Sequence, residues 1–278
     1  MVSLAAAVLD RYERFSRYNS PYPAHDAGCA IDLYPGTDRA VSPVSGTVRS
    51  IRTVRCPDRP YAVSEDHLLL LDCGSHIARV LHVDPDVEAG ERVEIGDRLG
   101  TLVRSGFFGR WVDNHLHLGF RRPAQNLYRA SGSLPIDLGV SVTGLDWNGR
   151  GTVVETGPTH IRLDSPSSRG QQGFAALADT DGVPLEGGLV HYGGGGTLAT
   201  AEGERSLLGT PIGTADGREI SWADVAVFAD NCRATGLSLF ASQVPFGTKL
   251  VFQQGHDFEP GDEVAVSIEP TTDPIQLG

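Results

Sequence analysis

Two histidines separated by a single leucine lie in the stretch "DNHLHLGF", residues 113–120. In a β-strand, residues i and i+2 project from the same face, so His115 and His117 would stand side by side. Two neighbouring imidazoles can bind a divalent metal or transfer protons near neutral pH. Because two surface histidines on a half-exposed strand would give the same pattern, the motif indicates a site only if other residues supply further ligands.

The length and composition predict a protein made mainly of β-strands. A chain of 278 residues favours two domains of roughly 140 residues each. Its 34 glycines and 17 prolines punctuate short β-rich runs, as expected of hairpins in an antiparallel sandwich or barrel. We expect one short amphipathic helix over residues 1–19, a first β domain over 20–138 and a second β domain over 139–278.

The charge of the chain excludes some classes of partner. A net charge of −12 and a pI near 5.1 predict that neither a nucleic acid nor an anionic membrane is bound, because both would be repelled. Lys249 is the only lysine, beside 22 arginines. This bias is typical of a high-GC genome, and the acidic surface suits a salt-rich cytoplasm, so we expect a halophilic archaeal source.

Several features favour a cytoplasmic location. No basic residue precedes the short apolar run at the N-terminus, and Asp10 follows soon after it, unlike a secretory signal. No segment approaches the roughly 20 consecutive apolar residues of a membrane span. The four cysteines form no C-x-x-C pair, which favours a reduced compartment over a disulfide scaffold.

A spacing of glycines occurs once in each half of the chain. Residues 90–100, "GERVEIGDRLG", and residues 203–213, "GERSLLGTPIG", both begin with G-E-R and carry glycines at the same later positions. The spacing is consistent with internal duplication, although glycine patterns of this kind are common in β proteins. Since the second copy lacks the H-x-H strand, we expect the chemistry in the first half.

Residues 20–138 resemble the lysostaphin-type zinc endopeptidases, whose domains carry the duplicated hybrid motif, a barrel-sandwich hybrid of antiparallel strands. The resemblance rests on an ordered set of motifs: "HDAGCAID", "VSPVSGTVRSI", "RVLHVD", "VEAGERVEIGDRLGTLV" and "NHLHLGFR". It implies that Asp32 and His117 are zinc ligands and that His82 and His115 are catalytic. It also implies hydrolysis of a peptide or amide bond in a substrate that the sequence does not identify.

The first histidine departs from the family pattern. The family places it four residues before the aspartate, where this chain has Gly28, and the nearest histidine is His25. Residues i and i+7 of a regular strand do not share a face, so a bulge or loop at Gly28 must bring His25 to the metal. Asp26 and Cys29 are alternative ligands.

Two further functions compete with the hydrolase. An inactive family member that acts as a binding or scaffolding protein would account for the displaced histidine and the missing export signal. A biotinyl- or lipoyl-type carrier would account for "GERVEIGDRLGTL", but such a carrier needs a lysine at a hairpin tip, and Lys249 lies outside that repeat. We expect His67, His76, His160 and His191 to have surface or structural roles, and "GHDF" at 255–258 to form a turn.

Overall fold

The computed structural model of the chain describes residues 1–168 and 172–277. It divides into a first unit, Met1–Phe15 and Pro23–Val140, and a second unit, Ser16–Tyr22 with Ser141 onward. The fold class predicted from the sequence is confirmed: the protein is mainly β, with antiparallel sheets and little helix. Residues 169–171 and 278 of the predicted second domain lie outside the described residues.

The first half of the chain forms twelve strands and two one-turn helices within the described residues. These elements are β1 (Val2–Ala5), α1 (Ala6–Leu9), β2 (Arg14–Ser16), α2 (Pro23–Asp26), β3 (Ala30–Tyr34), β4 (Arg39–Val41), β5 (Gly46–Arg55), β6 (Glu65–Asp72), β7 (Ile77–Leu81), β8 (Val83–Pro85), β9 (Arg92–Val93), β10 (Arg98–Leu102), β11 (Leu116–Arg121) and β12 (Ile136–Gly139).

The helix expected over residues 1–19 is much shorter in the structure. Only Ala6–Leu9 is helical, and strand residues lie on both sides of it. β1 pairs in parallel with β12, so the backbone of Val2–Ala5 is satisfied by a neighbouring strand instead of by a helix. The apolar residues of this segment pack as part of the β fold, with Leu4, Val8 and Leu9 buried. In the described residues no helix is long enough to cross a membrane.

The main sheet of the first unit runs in the order β3-β11-β7-β6-β5-β9, with antiparallel neighbours. Alternation along β11 gives the sheet two different faces. Leu116, Leu118 and Phe120 are buried with apolar residues of β3 and form the core side. His117 projects from the opposite face, and its cross-strand partner on β3 is Asp32. The sequence alternation of β11 therefore separates the core from the candidate chemistry.

The second unit contains thirteen strands within the described residues. They are β13 (Val142–Leu145), β14 (Arg150–Gly157), β15 (His160–Leu163), β16 (Phe174–Leu177), β17 (Leu185–Leu189), β18 (Gly194–Leu207), β19 (Thr210–Trp222), β20 (Val225–Ala229), β21 (Cys232–Ala234), β22 (Gly236–Leu239), β23 (Ala241–Ser242), β24 (Lys249–Val251) and β25 (Glu263–Pro270). Ten of them form one sheet in the order β19-β18-β17-β22-β24-β15-β14-β25-β20-β21.

The two copies of the glycine spacing adopt different local structures. In residues 90–100, the short strand β9 and the start of β10 flank a turn, and they pair with different partners, β5 and β4. Residues 203–213 lie in the long ribbon formed by β18 and β19, which pair with each other. The shared spacing thus sets where turns occur, while the strand partners differ.

Candidate metal centre

His25 reaches Asp32 because the chain between them is compact. Pro23 opens the one-turn helix α2, a position that suits its fixed φ and missing N–H. Gly28, with φ +58°, ends it in the left-handed conformation that glycine adopts readily. The N–H groups of Gly28 and Cys29 donate to the carbonyls of His25 (2.9 Å) and Ala24 (2.7 Å). This turn takes up the seven-residue spacing that a strand could not accommodate.

His25, Asp32 and His117 converge on one point. His25 Nε2 lies 3.2 Å from His117 Nδ1 and 3.5 Å from Asp32 Oδ1, and His117 Nδ1 lies 2.9 Å from the same oxygen. Three ligands of a tetrahedral zinc ion, each 2.0–2.1 Å from the metal, are about 3.3 Å apart. Since the three separations are close to that value, the residues fit a zinc ion.

The alternative ligands considered for the first position lie outside this group. Asp26 is exposed at the end of α2. The Cys29 thiol donates to the carbonyl of Ala27 at 3.3 Å. Among the described residues, the group of three that could hold a metal ion consists of His25, Asp32 and His117.

His115 lies just before β11 and approaches the other carboxylate oxygen. Its Nε2 is 3.6 Å from Asp32 Oδ2. Its Nδ1 is 2.8 Å from the backbone carbonyl of Asp113, which can only accept, so Nδ1 carries the proton and donates. In the neutral ring, Nε2 therefore has a free lone pair on the side of the metal centre.

His82 is positioned by a buried carboxylate that the sequence analysis did not single out. Its Nδ1 lies 2.5 Å from Asp66 Oδ2, and Asp66 Oδ1 accepts from the backbone N–H groups of His82 (2.9 Å) and His67 (2.6 Å). Asp66 is completely buried. His82 has φ +68°, an uncommon conformation for a residue other than glycine that often marks functional sites.

The two further histidines lie beside the metal centre. The ring of His82 is 5.0 Å from that of His115 and 5.9 Å from that of His117, between centroids. The four histidines predicted for the site, His25, His82, His115 and His117, thus lie in one cluster with Asp32. The sequence signal that could have found Asp66 is its place in β6, on the same strand face as the buried Leu68 and Leu70.

Burial and charge act in opposite directions on the carboxylates. Burial alone would raise the pKa of Asp32, but the neighbouring His25 and His115 and the hydrogen bond from His117 outweigh it and hold that pKa well below its usual range. Asp66 behaves alike: burial raises its pKa, and the stronger combined effect of His82, Ser105 and His67 lowers it. Both carboxylates are therefore ionised and act as acceptors at neutral pH.

Burial lowers the pKa of both histidines of the H-x-H motif. The pKa values of His115 and His117 are about 4, chiefly because burial disfavours the charged ring. The attraction of Asp32 opposes this effect without cancelling it. Neutral imidazoles are the form that binds metal ions.

An aromatic wall formed by Phe107 and Phe108 borders the histidines. The Phe108 ring lies 4.6 Å from the His115 ring and 5.2 Å from the His82 ring, and Phe107 lies 6.4 Å from His82. The Arg104 guanidinium lies over Phe108 and donates to the carbonyls of three loop residues, Gly109, Arg110 and Val112. These contacts fix the loop beside the metal centre.

Comparison with known protein families identifies the family of the chain but indicates no activity. Residues 3–138 match the N-terminal domain of a family described as a domain of unknown function, DUF8155, and residues 143–269 match its C-terminal domain. The chain belongs to the DUF8155 family. No curated protein and no solved structure matches it. The candidate metal centre of this DUF8155 protein lies entirely within the N-terminal match.

Among the described residues, none of the remaining histidines belongs to the group of three that could hold a metal ion. His67 and His76 are partly exposed, whereas His160 and His191 are buried. His256 Nε2 lies within 3.0 Å of two backbone carbonyls, those of Gly157 and His160.

Proposed function

We propose that the first unit is a zinc-dependent hydrolase of peptide or amide bonds. The observation that carries this proposal is the triangle of His25 Nε2, Asp32 Oδ1 and His117 Nδ1, bordered by the rings of His82 and His115. Two imidazoles and one carboxylate are a ligand set that zinc accepts in hydrolases, with a fourth position left for water. Zinc in such a site acts as a Lewis acid and lowers the pKa of the water that it coordinates to about 7.

His82 and His115 are the proposed proton-transfer residues. In both rings Nδ1–H is held by an oxygen acceptor, Asp66 for His82 and the Asp113 carbonyl for His115. Each Nε2 can then accept a proton from an attacking water and return it to the departing amine. The ring that receives the proton gains an Nε2–H, which can donate a hydrogen bond to the developing oxyanion before the proton passes to the amine.

The neighbouring residues support this assignment. Asp66 fixes the tautomer and orientation of His82, as a carboxylate partner does for a catalytic imidazole. Phe108 covers one side of both rings and excludes water from them, which strengthens electrostatic interactions at the centre. The sheet face provides the rigid frame on which Asp32 and His117 are paired.

The proposal is tested with two neighbouring variants of α2. His25→Ala removes a proposed ligand, and Asp26→Ala removes an exposed carboxylate one residue away. We expect the full-length protein and Asp26→Ala to hold about one zinc per chain by elemental analysis, and His25→Ala to bind zinc at least about 100-fold more weakly.

Activity is measured on a mixed panel of short peptides and N-acyl amino acids. Hydrolysis should require zinc, stop on chelation and return when zinc is added. Tight zinc binding without hydrolysis of any panel member would favour a binding protein instead of an enzyme. Equal zinc affinity in His25→Ala and Asp26→Ala would remove His25 from the ligand set.

A further inference from the structure

Two buried arginines of the first unit have no counter-charge among the described residues. Arg79 and Arg121 are 7% and 2% exposed. Arg121 donates to the carbonyls of Asn126 (3.2 Å) and Arg129 (2.9 Å). Arg79 Nε is fully buried, and within residues 1–168 and 172–277 it has no hydrogen-bond partner. Neither arginine forms an ion pair with a carboxylate in that part of the chain. A buried, unpaired charge is costly, so this arrangement indicates a binding site for an anion.

The surroundings of Arg79 strengthen this indication. Its neighbours along β7, Ile77 and Leu81, belong to an apolar cluster with Leu68, Leu70 and Leu127. Burial and, to a smaller extent, the like charge of Arg121 together lower the pKa of Arg79 to about 10. Arg79 still carries its charge at neutral pH, with apolar side chains and a second cation as its environment.

Strand register places Arg79 on the same sheet face as the metal centre. Side chains of directly paired residues in an antiparallel sheet project to one side. His117 pairs with Asp32 on β3 and with Leu81 on β7, and Gly119 pairs with Arg79. Arg79 is thus level with a position two residues beyond His117, about 7 Å along the strand. Arg121 follows on that face two residues later.

We propose that Arg79, with Arg121 beside it, binds a free carboxylate of the substrate whose amide is hydrolysed at the metal centre. This inference rests on the proposed function. A guanidinium suits the task because it binds a carboxylate through two parallel hydrogen bonds. An extended peptide rises about 3.3 Å per residue, so the carboxylate would lie one or two residues beyond the scissile bond.

The predicted substrate class follows from that distance. It comprises N-acyl amino acids and short peptides with a free C-terminus. Hydrolysis adds one water across the C–N bond and releases a carboxylic acid and an amino acid or dipeptide. An amidated C-terminus would leave Arg79 buried and unpaired, so it should be rejected.

The anion site is tested first without metal and without catalysis. N-acetylglycine, its neutral amide and inorganic phosphate are titrated into metal-free full-length protein, and the thermal midpoint is followed. We compare Arg79→Met with Arg49→Met, the same change at an exposed arginine of β5. N-acetylglycine should stabilise the wild type and Arg49→Met but not Arg79→Met, and the amide should stabilise none.

The variants also separate binding from structural support. Without ligand, Arg79→Met should be at least as stable as the wild type, because it replaces an unpaired buried charge by an apolar chain. If it does not fold, Arg79→Lys retains the charge and should bind N-acetylglycine about 10-fold more weakly. Unchanged binding of N-acetylglycine to either variant would overturn the assignment. Stabilisation by phosphate but not by N-acetylglycine would overturn the proposal that the ligand of Arg79 is a carboxylate.

Hydrolysis by the zinc-loaded protein is the second test. Matched peptides with free and amidated C-termini are compared, and we expect kcat/KM to favour the free acid by about 100-fold in the wild type and to lose that preference in Arg79→Met. Equal rates for acid and amide in the wild type would overturn the carboxylate site. If no peptide is hydrolysed, the hydrolase proposal fails, and the metal-free titration still decides whether Arg79 binds a carboxylate.

Discussion

The two units both bury polar and charged side chains, but they arrange them differently. In the first unit, buried histidines and carboxylates converge around Asp32. In the second unit they serve separate parts of the backbone. The carboxylate of Glu186 accepts hydrogen bonds from the backbone N–H groups of Arg17 (2.7 Å) and Tyr18 (3.0 Å). The carboxylate of Asp179 accepts hydrogen bonds from the backbone N–H groups of Asp181 (2.9 Å) and Val183 (2.8 Å). A buried polar residue thus indicates chemistry only where several converge.

The largest expected difference between the units concerns metal binding. His117→Ala should weaken zinc binding at least about 100-fold, because one of the three proposed protein ligands would be lost. His256→Ala makes the same change in the second unit, where the ring contacts backbone carbonyls. It should leave zinc affinity unchanged when measured by competition with a chelator. A similar loss in both variants would show that the change acts through general unfolding.

Asp66→Asn should separate metal binding from proton transfer. The amide retains the size of the carboxylate but stabilises a charged His82 ring less, so we expect kcat to fall by roughly 100-fold while zinc affinity stays within a few fold. The proton between His82 Nδ1 and Asp66 Oδ2 should give a far-downfield NMR signal in the metal-free wild type. Persistence of that signal in Asp66→Asn would show that it arises elsewhere.

Glu186→Gln tests the structural use of a buried carboxylate. Glu186 is completely buried, and the charged acceptor stabilises two backbone N–H groups. We expect the free energy of unfolding to fall by about 2 kcal/mol in chemical denaturation, with zinc content unchanged. Loss of zinc from this variant would contradict the separation of roles between the two units.

His191 gives the second unit a pH-dependent stability of known sign. Burial lowers its pKa to about 3, whereas the unfolded chain has a value near 6.5. The unfolded state therefore binds the proton first, and stability falls by about 1.4 kcal/mol per pH unit as the pH drops from about 6.5 towards 3. His191→Gln should reduce the slope by that amount in pH-dependent denaturation of metal-free protein. An unchanged slope would assign the dependence to other groups.

Local patterns in the sequence predicted the β fold and most members of the candidate metal centre. Alternation placed His115 and His117 together, and the order of motifs selected Asp32 and His82. The approach of His25 to Asp32 and His117 depends on a one-turn helix and on a glycine in the left-handed conformation. The direction that these two features give the chain cannot be predicted from the spacing of the residues alone. Asp66 and Arg79 were missed because their significance comes from strand register, which brings residues of β6, β7 and β11 to one face.

Residues 90–100 and 203–213 show the same limit for longer patterns. The turn positions follow from glycine, which tolerates positive φ at Gly90, Gly96, Gly203 and Gly209. The partners of the flanking strands follow from the rest of each unit. The glycine spacing therefore predicts where turns occur, but it does not predict the sheet in which those turns lie.

The assignment of Ser16–Tyr22 to the second unit has a consequence for biosynthesis. These residues are translated long before their hydrogen-bond acceptor Glu186. The second unit can complete its backbone bonding only when both distant segments have emerged. A gene fragment that starts at residue 141 would encode a product without Arg17 and Tyr18, so the two halves are not interchangeable modules for expression or for domain shuffling.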